Sequence, residues 1–152
     1  MSLHDQIEAD LRTAMKARDK ARTSALRMAI SALKNRATAE GLSPQGRLDD
    51  DVVQQVLAGE VKRRREAATA FKDAGRAESA ASETAEAEIY EAYLPAQLTD
   101  EELATIVDAA IAEVGAEGPQ QMGQVMKTAM AAVQGRADGS RVSTLVKDRL
   151  TG

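Results

Sequence analysis

Apolar residues recur along this chain at helical spacing, and the breaks between the runs predict seven helices. Leu3, Ile7, Leu11 and Met15 form a first stripe that starts near Ser2 and breaks near Ala17 and Arg18. Asp19 is placed to cap a second helix, with Leu26, Ile30, Leu33 and Ala37 as its stripe. Gly41, Pro44 and Gly46 mark a loop. Asp49, Asp50 and Asp51 then bring negative charge to the start of a third helix, where it suits the helix dipole. That helix carries Val53, Val56, Leu57, Ala68 and Phe71 and stops near Gly75. A fourth, acidic and alanine-rich, is expected to bury Ala81, Ala85, Ile89 and Tyr93, and it must end before Pro95.

Thr99 and Glu102 form a capping box for a fifth helix through Leu103, Ile106, Val107, Ala110, Ile111 and Val114, with Gly115 just past its end. Pro119 suits the first turn of a sixth, with Met122, Val125, Met126, Ala129, Met130 and Val133 on one face. Gly135 closes it. Ser140 is placed to cap a last helix with Val142, Leu145, Val146 and Leu150. No segment alternates long enough to be a strand. The predicted fold is all-α. An N-terminal four-helix unit, residues 1–95, is followed by a small C-terminal three-helix bundle, residues 96–152. The second unit is small for independent stability.

Composition supports helices. Leu, Ile, Val and Phe number only 28 of 152 residues, and 30 alanines with 6 methionines supply the missing apolar volume. Alanine favours helix and disfavours strand. The three aromatics, Phe71, Tyr90 and Tyr93, cannot furnish a base-stacking sheet. There is no cysteine, and the one histidine, His4, is expected near a frayed terminus. No metal site and no cofactor are expected: a metal would need an all-carboxylate set, and a Ser-His-Asp triad lacks its base. The opening residues carry no basic and apolar leader, and no run is long enough to span a bilayer, so a cytoplasmic protein without membrane contact is expected.

Charge changes the picture when read by segment. Residues 1–76 hold 15 Lys/Arg against 11 Asp/Glu; residues 77–117 hold 11 acidic and no basic residues; residues 118–152 hold 5 basic and 2 acidic. A net charge of -4 therefore conceals two basic regions around an acidic middle. Such a layout permits local polyanion binding, and equally describes solvated helical faces.

Five features stand out. Glu60 and Arg64 share the apolar side of helix three, in the favourable order for a helical ion pair, and Glu88 flanks the stripe of helix four. The expected role is a structural ion pair that registers the two helices; acid–base chemistry is the alternative. Lys62 to Arg65 point all round their helix and make no single patch. Lys20, Arg27 and Lys34, seven apart, line up on helix two, as a solvated rim or a phosphate-tracking row. Gly123 in an early turn leaves room for another helix or for a nucleic-acid backbone. Finally, Gly135 and Gly139 frame a turn among Lys127, Arg136, Arg141 and Lys147, where Asp138 can cap and outward amides at the last helix suit phosphate.

The run Met122-Gly123-x-x-Met126, then Gly135-Arg136-Ala137-Asp138-Gly139, then Val142-Ser143-x-x-Val146-Lys147-x-x-Leu150 resembles the GatB/YqeY domain family. So do Ala14 to Asp19 with Arg22, Leu26 and Arg27; Glu60-Val61-Lys62-x-Arg64; and Tyr93-Leu94-Pro95-x-Gln97-Leu98. The likeness covers essentially the whole chain, as in stand-alone YqeY-like proteins. It implies a C-terminal part similar to the tail of the tRNA-dependent amidotransferase B subunit, which is thought to engage the tRNA elbow while chemistry happens elsewhere. Carried over, the candidate RNA-facing residues are Gly123, Lys127, Gly135, Arg136, Gly139, Arg141 and Lys147.

The leading expectation is a non-catalytic module binding tRNA by backbone and shape. A glutamine-dependent amidotransferase activity is the second, opposed by the missing nucleophile and by the absence of a Gly-x-x-x-x-Gly-Lys-[Ser/Thr] nucleotide loop. An adaptor binding amidotransferase subunits or the translation machinery through helix six is the third.

Overall fold

The computed structural model describes residues 2–43 and 45–152; Met1 and the loop marker Pro44 lie outside the described residues. Among the described residues there are seven α-helices, one 3-10 turn and no strand. They are α1 (Leu3–Lys16), α2 (Lys20–Ala39), α3 (Asp50–Asp73), α4 (Ala77–Glu91), α5 (Asp100–Val114), α6 (Met122–Val133) and α7 (Gly139–Thr151). The chain divides into two compact units, Met1–Leu94 and Pro95–Gly152, holding α1–α4 and α5–α7 respectively.

Local chemistry sets the helix ends. Ser2 and Asp19 accept hydrogen bonds from the Asp5 and Arg22 amides and start α1 and α2. Asp49 makes no such cap on α3; its neighbour Asp50 instead accepts from the Leu3 N–H at 2.9 Å, tying the start of α1 to the start of α3. The Thr99–Glu102 capping box is complete, and Gly115 ends α5 at φ 71, a left-handed conformation that favours glycine. Pro119 opens a 3-10 turn, Pro119–Gln121, and α6 begins only after it.

In the first unit, α3 and α4 form the longest pairing, α2 packs on α1, α3 and α4, and α1 also reaches α3. Their shared core includes Ile7, Leu26, Leu33, Val53, Leu57 and Tyr90. Each such side chain contributes about 1.5–3 kcal/mol when removed from water. Tyr90 donates its hydroxyl to the Ala25 carbonyl oxygen at 2.6 Å, and Tyr93, just beyond α4, donates to Asp10 of α1. The faces of two helices differ from expectation. On α1, Ala14 is buried and Met15 is 47% exposed. On α4, Ala81 and Ala85 are exposed, whereas Ala87 and Tyr90 are buried. Tyr93 lies past the helix end, so a helical stripe extended through it picks the wrong side.

In the second unit, α5, α6 and α7 each pack on the other two, around Leu103, Val107, Val125, Ala129, Val133, Val142 and Val146. Met130, expected on the buried face of α6, is 37% exposed.

Candidate nucleic-acid interface

The residues selected on the second unit fall into two groups. Arg136 and Arg141 are engaged by the protein itself. The Arg136 guanidinium donates to the Val133 and Ala132 carbonyl oxygens at 2.9 and 3.0 Å, covering the C-terminal end of α6, where a cation is favoured. Its own carbonyl accepts the Leu98 N–H at 2.7 Å. Arg141 donates to the Leu98 carbonyl oxygen and to Asp100, both at 3.0 Å. The Leu98 backbone is thus held on both sides by the α6–α7 corner.

Lys127 and Lys147 differ. Both are exposed, and neither has an ion pair or side-chain hydrogen bond among the described residues. Gly123 and Lys127 stand four apart, so they share one face of α6, and both are exposed there with Met130. A Cβ built on Gly123 meets nothing within 4 Å, so the glycine is not there for helix packing. It leaves bare backbone one turn before a lysine, on a helix without any acidic residue.

The glycine corner is also built differently from expectation. Gly135 takes φ 77, but the other left-handed residue is Gln134, at φ 51, and not Gly139. Gly139 is the first residue of α7, in open space. Asp138, not Ser140, caps α7: it accepts from the Ser140 and Arg141 amides at 2.8 and 3.0 Å, and Ser140 lies inside the helix. Its carboxylate therefore already satisfies the amides expected to face a phosphate, and places like charge where an incoming anion would sit.

On the first unit, Arg64 is buried, 7% exposed, and forms the predicted pair with Glu60 at 2.6 Å. Its second carboxylate is Glu86, at 3.0 Å, rather than Glu88, which is exposed. The guanidinium also lies over the Tyr90 ring, 4.7 Å from its centroid. Burial works against the charged form of Glu60, but the hydrogen bonds from Arg64 and Arg63 outweigh it and hold its carboxyl below the usual range. Burial pushes the Tyr90 hydroxyl up to about 12. A carboxylate held low and a phenol held high are poor general acids and bases near neutral pH, so the cluster is suited to structure. Sequence reading missed Glu86 and Tyr90, although their i,i+4 spacing on α4 mirrors that of Glu60 and Arg64 on α3.

His4 is buried within α1, 2% exposed, not frayed. Its Nε2 lies 3.6 Å from Glu8, and Nδ1 has no hydrogen-bond partner among the described residues. Burial first, then the nearby Arg47 charge, lowers its pKa from the usual value. Among the described residues no group of three or more His, Asp or Glu is arranged to hold a metal ion. Lys20, Arg27 and Lys34 are all exposed on α2. No helix is long and apolar enough to cross a membrane among the described residues.

Comparison with curated proteins gives no match. A family model described as Yqey-like protein matches residues 4–150, nearly the whole chain. The chain belongs to this family.

Proposed function

We propose that this Yqey-like chain is a non-catalytic RNA-binding module whose Pro95–Gly152 unit engages folded tRNA at its elbow. The observation that carries the reading is the exposed face of α6, where bare backbone at Gly123 adjoins the unpaired Lys127. A sugar–phosphate backbone needs a close approach and a cation, and reads no base there. Lys147 of α7 adds a second unpaired cation on the same unit. Arg136, Arg141, Gly135 and Gly139 support this surface by building the corner. The elbow as the target follows from the resemblance to the amidotransferase tail, and cytoplasmic residence follows from tRNA as the ligand.

An amidotransferase acting alone would need an activated nucleophile and a nucleotide site for the tRNA carboxylate. The chain has no cysteine and no phosphate-binding glycine loop, which favours the non-catalytic reading. One observation favours a protein-binding adaptor instead: Met130 shares the exposed side of α6.

The test is fluorescence anisotropy of labelled tRNA with the full chain at about 50 and 200 mM salt, where phosphate contacts weaken steeply. A K127E/K147E variant with unchanged circular dichroism is expected to bind roughly tenfold or more weakly. No binding by the parent chain at the lower salt, or equal binding by the variant, overturns the reading. Nuclease-resistant capture of a translation protein that Met130→Ser abolishes, without RNA binding, would favour the adaptor.

A further inference from the structure

We propose that α2, in the other unit, carries a second RNA-binding surface, independent of the one on α6. The helix Lys20–Ala39 holds five basic residues and no acidic one. Its buried side is made by Ala25, Leu26, Ala29, Leu33 and Ala37. At 100° per residue, Lys20, Arg27 and Lys34 lie within about 40° of one another, flanking the buried stripe, with Lys34 near enough to the buried His4 ring to disfavour its charge. All three are exposed, and none has an ion pair or hydrogen bond among the described residues. Arg36, by contrast, is taken up by Glu40 and Gln55.

The three cations form a straight row about 21 Å long, one every ten or so ångströms at 1.5 Å rise per residue. That interval exceeds the screening length of about 8 Å at physiological salt, so each cation meets its own phosphate nearly independently. The same face presents Ser24 and Ser31 between them and Asn35 just past Lys34, all exposed. These neutral donors and acceptors suit ribose hydroxyls and phosphate oxygens. The turn before α2 adds Arg18, exposed and held at φ 56. Glycine adopts that conformation more readily, so a cation sits there at a conformational cost.

Charge complementarity selects a polyanion, and the composition of the face selects among polyanions. It carries no apolar side chain to enter a lipid surface, Met28 lying at its margin. It has no aromatic or aliphatic anchor of the kind that dominates protein–protein binding. A convex, polar, cationic helix face fits the wide and shallow minor groove of an A-form RNA helix, which displays 2′-hydroxyls between its phosphates.

The experiment is a salt titration of the full chain with a structured RNA, a DNA duplex of equal length, and anionic phospholipid vesicles. Parent, K20Q/R27Q/K34Q and K127E/K147E chains are compared, with circular dichroism as the check on folding. Neutralising the row is expected to weaken RNA binding roughly tenfold or more and to flatten the log K against log salt slope by about two to three, close to one per lost phosphate contact. The effect should persist in the K127E/K147E background. A single R27Q, at one exposed site, should flatten the slope by about one, which keeps the test readable if the triple variant folds poorly. An unchanged slope in folded K20Q/R27Q/K34Q, equal loss on DNA and RNA, or a loss seen only with vesicles would overturn the proposal.

Discussion

Arg141 donates to the Leu98 carbonyl oxygen at 3.0 Å, 43 residues away along the chain. That bond, with the Leu98 N–H on the Arg136 carbonyl, makes the basic corner of the second unit a fastening before it is anything else. The cations there consequently divide by role. Arg141→Met should cost about 1–2 kcal/mol by leaving the Leu98 carbonyl without its charged donor, the fully exposed Asp100 adding little. Arg136→Glu should cost a similar amount, since it removes the α6 end cap and puts negative charge at a helix C-terminus. Lys127→Gln and Lys147→Gln should stay within about 0.5 kcal/mol of the parent. The second unit contains none of the three aromatics, so tyrosine absorbance is blind to it; hydrogen exchange of its amides makes the measurement.

A second prediction concerns the choice between two glutamates on α4. Arg64→Met leaves Glu60 and Glu86 facing each other without their cation and should destabilise the first unit by about 2–4 kcal/mol, less than a fully buried pair because both carboxylates retain some solvent. Glu86→Ala should cost about 1–2 kcal/mol, and Glu88→Ala should be within about 0.5 kcal/mol of neutral. Urea unfolding followed by tyrosine absorbance separates these outcomes, and equal costs for Glu86 and Glu88 would contradict the pairing.

Glycine substitutions should split in the second unit. Gly135→Ala forces a side chain onto φ 77 and should cost about 1 kcal/mol. Gly139→Ala and Gly123→Ala meet open space in helical conformation and should stabilise by about 0.4–1 kcal/mol. Thermal unfolding by circular dichroism reads the sign. Gly123→Ala should nonetheless weaken tRNA binding, because it covers the backbone the RNA approaches.

The pH dependence near neutrality should be carried by His4. Its folded-state pKa lies below its unfolded value of about 6.5, so the unfolded chain binds more protons between the two. The contribution is fully present above pH 6.5 or so and is lost as pH falls through the folded pKa. Arg47 and Lys34 repel the protonated ring, and Glu8 and Asp5 attract it. The melting temperature of the parent should therefore drop more steeply between pH 7 and pH 5 than that of His4→Gln, the shared carboxylates cancelling in the difference.

Much of the helix order was legible because it rests on local chemistry. Asp19, the Thr99–Glu102 box, Gly115 and Asp138 each act on residues within one turn. The faces of α1 and α4 were less legible. On an alanine-rich helix both sides are small and weakly apolar, so the stripe has little contrast, and Ala14 or Ala87 can be buried in place of Met15 or Ala85. Glu86 was missed for the same reason. The fastening roles of Arg136 and Arg141 depend on Leu98 and Asp100, about forty residues distant, which no local pattern reveals. His4 is buried despite its place near the chain start, and Arg47, far along the chain, pairs with its neighbours Asp5 and Glu8. Two of the candidate cations, Lys127 and Lys147, have no ion pair or side-chain hydrogen bond among the described residues, so no fold contact signalled them.

The central claim is that the α5–α7 unit meets folded tRNA on the outer face of α6. Backbone amide chemical shifts of the isotope-labelled full chain, followed during titration with folded tRNA, test it residue by residue. The account predicts saturable changes at Gly123, Lys127 and Lys147 that shrink as salt rises. The absence of any change on α6 and α7 at saturating tRNA would contradict it.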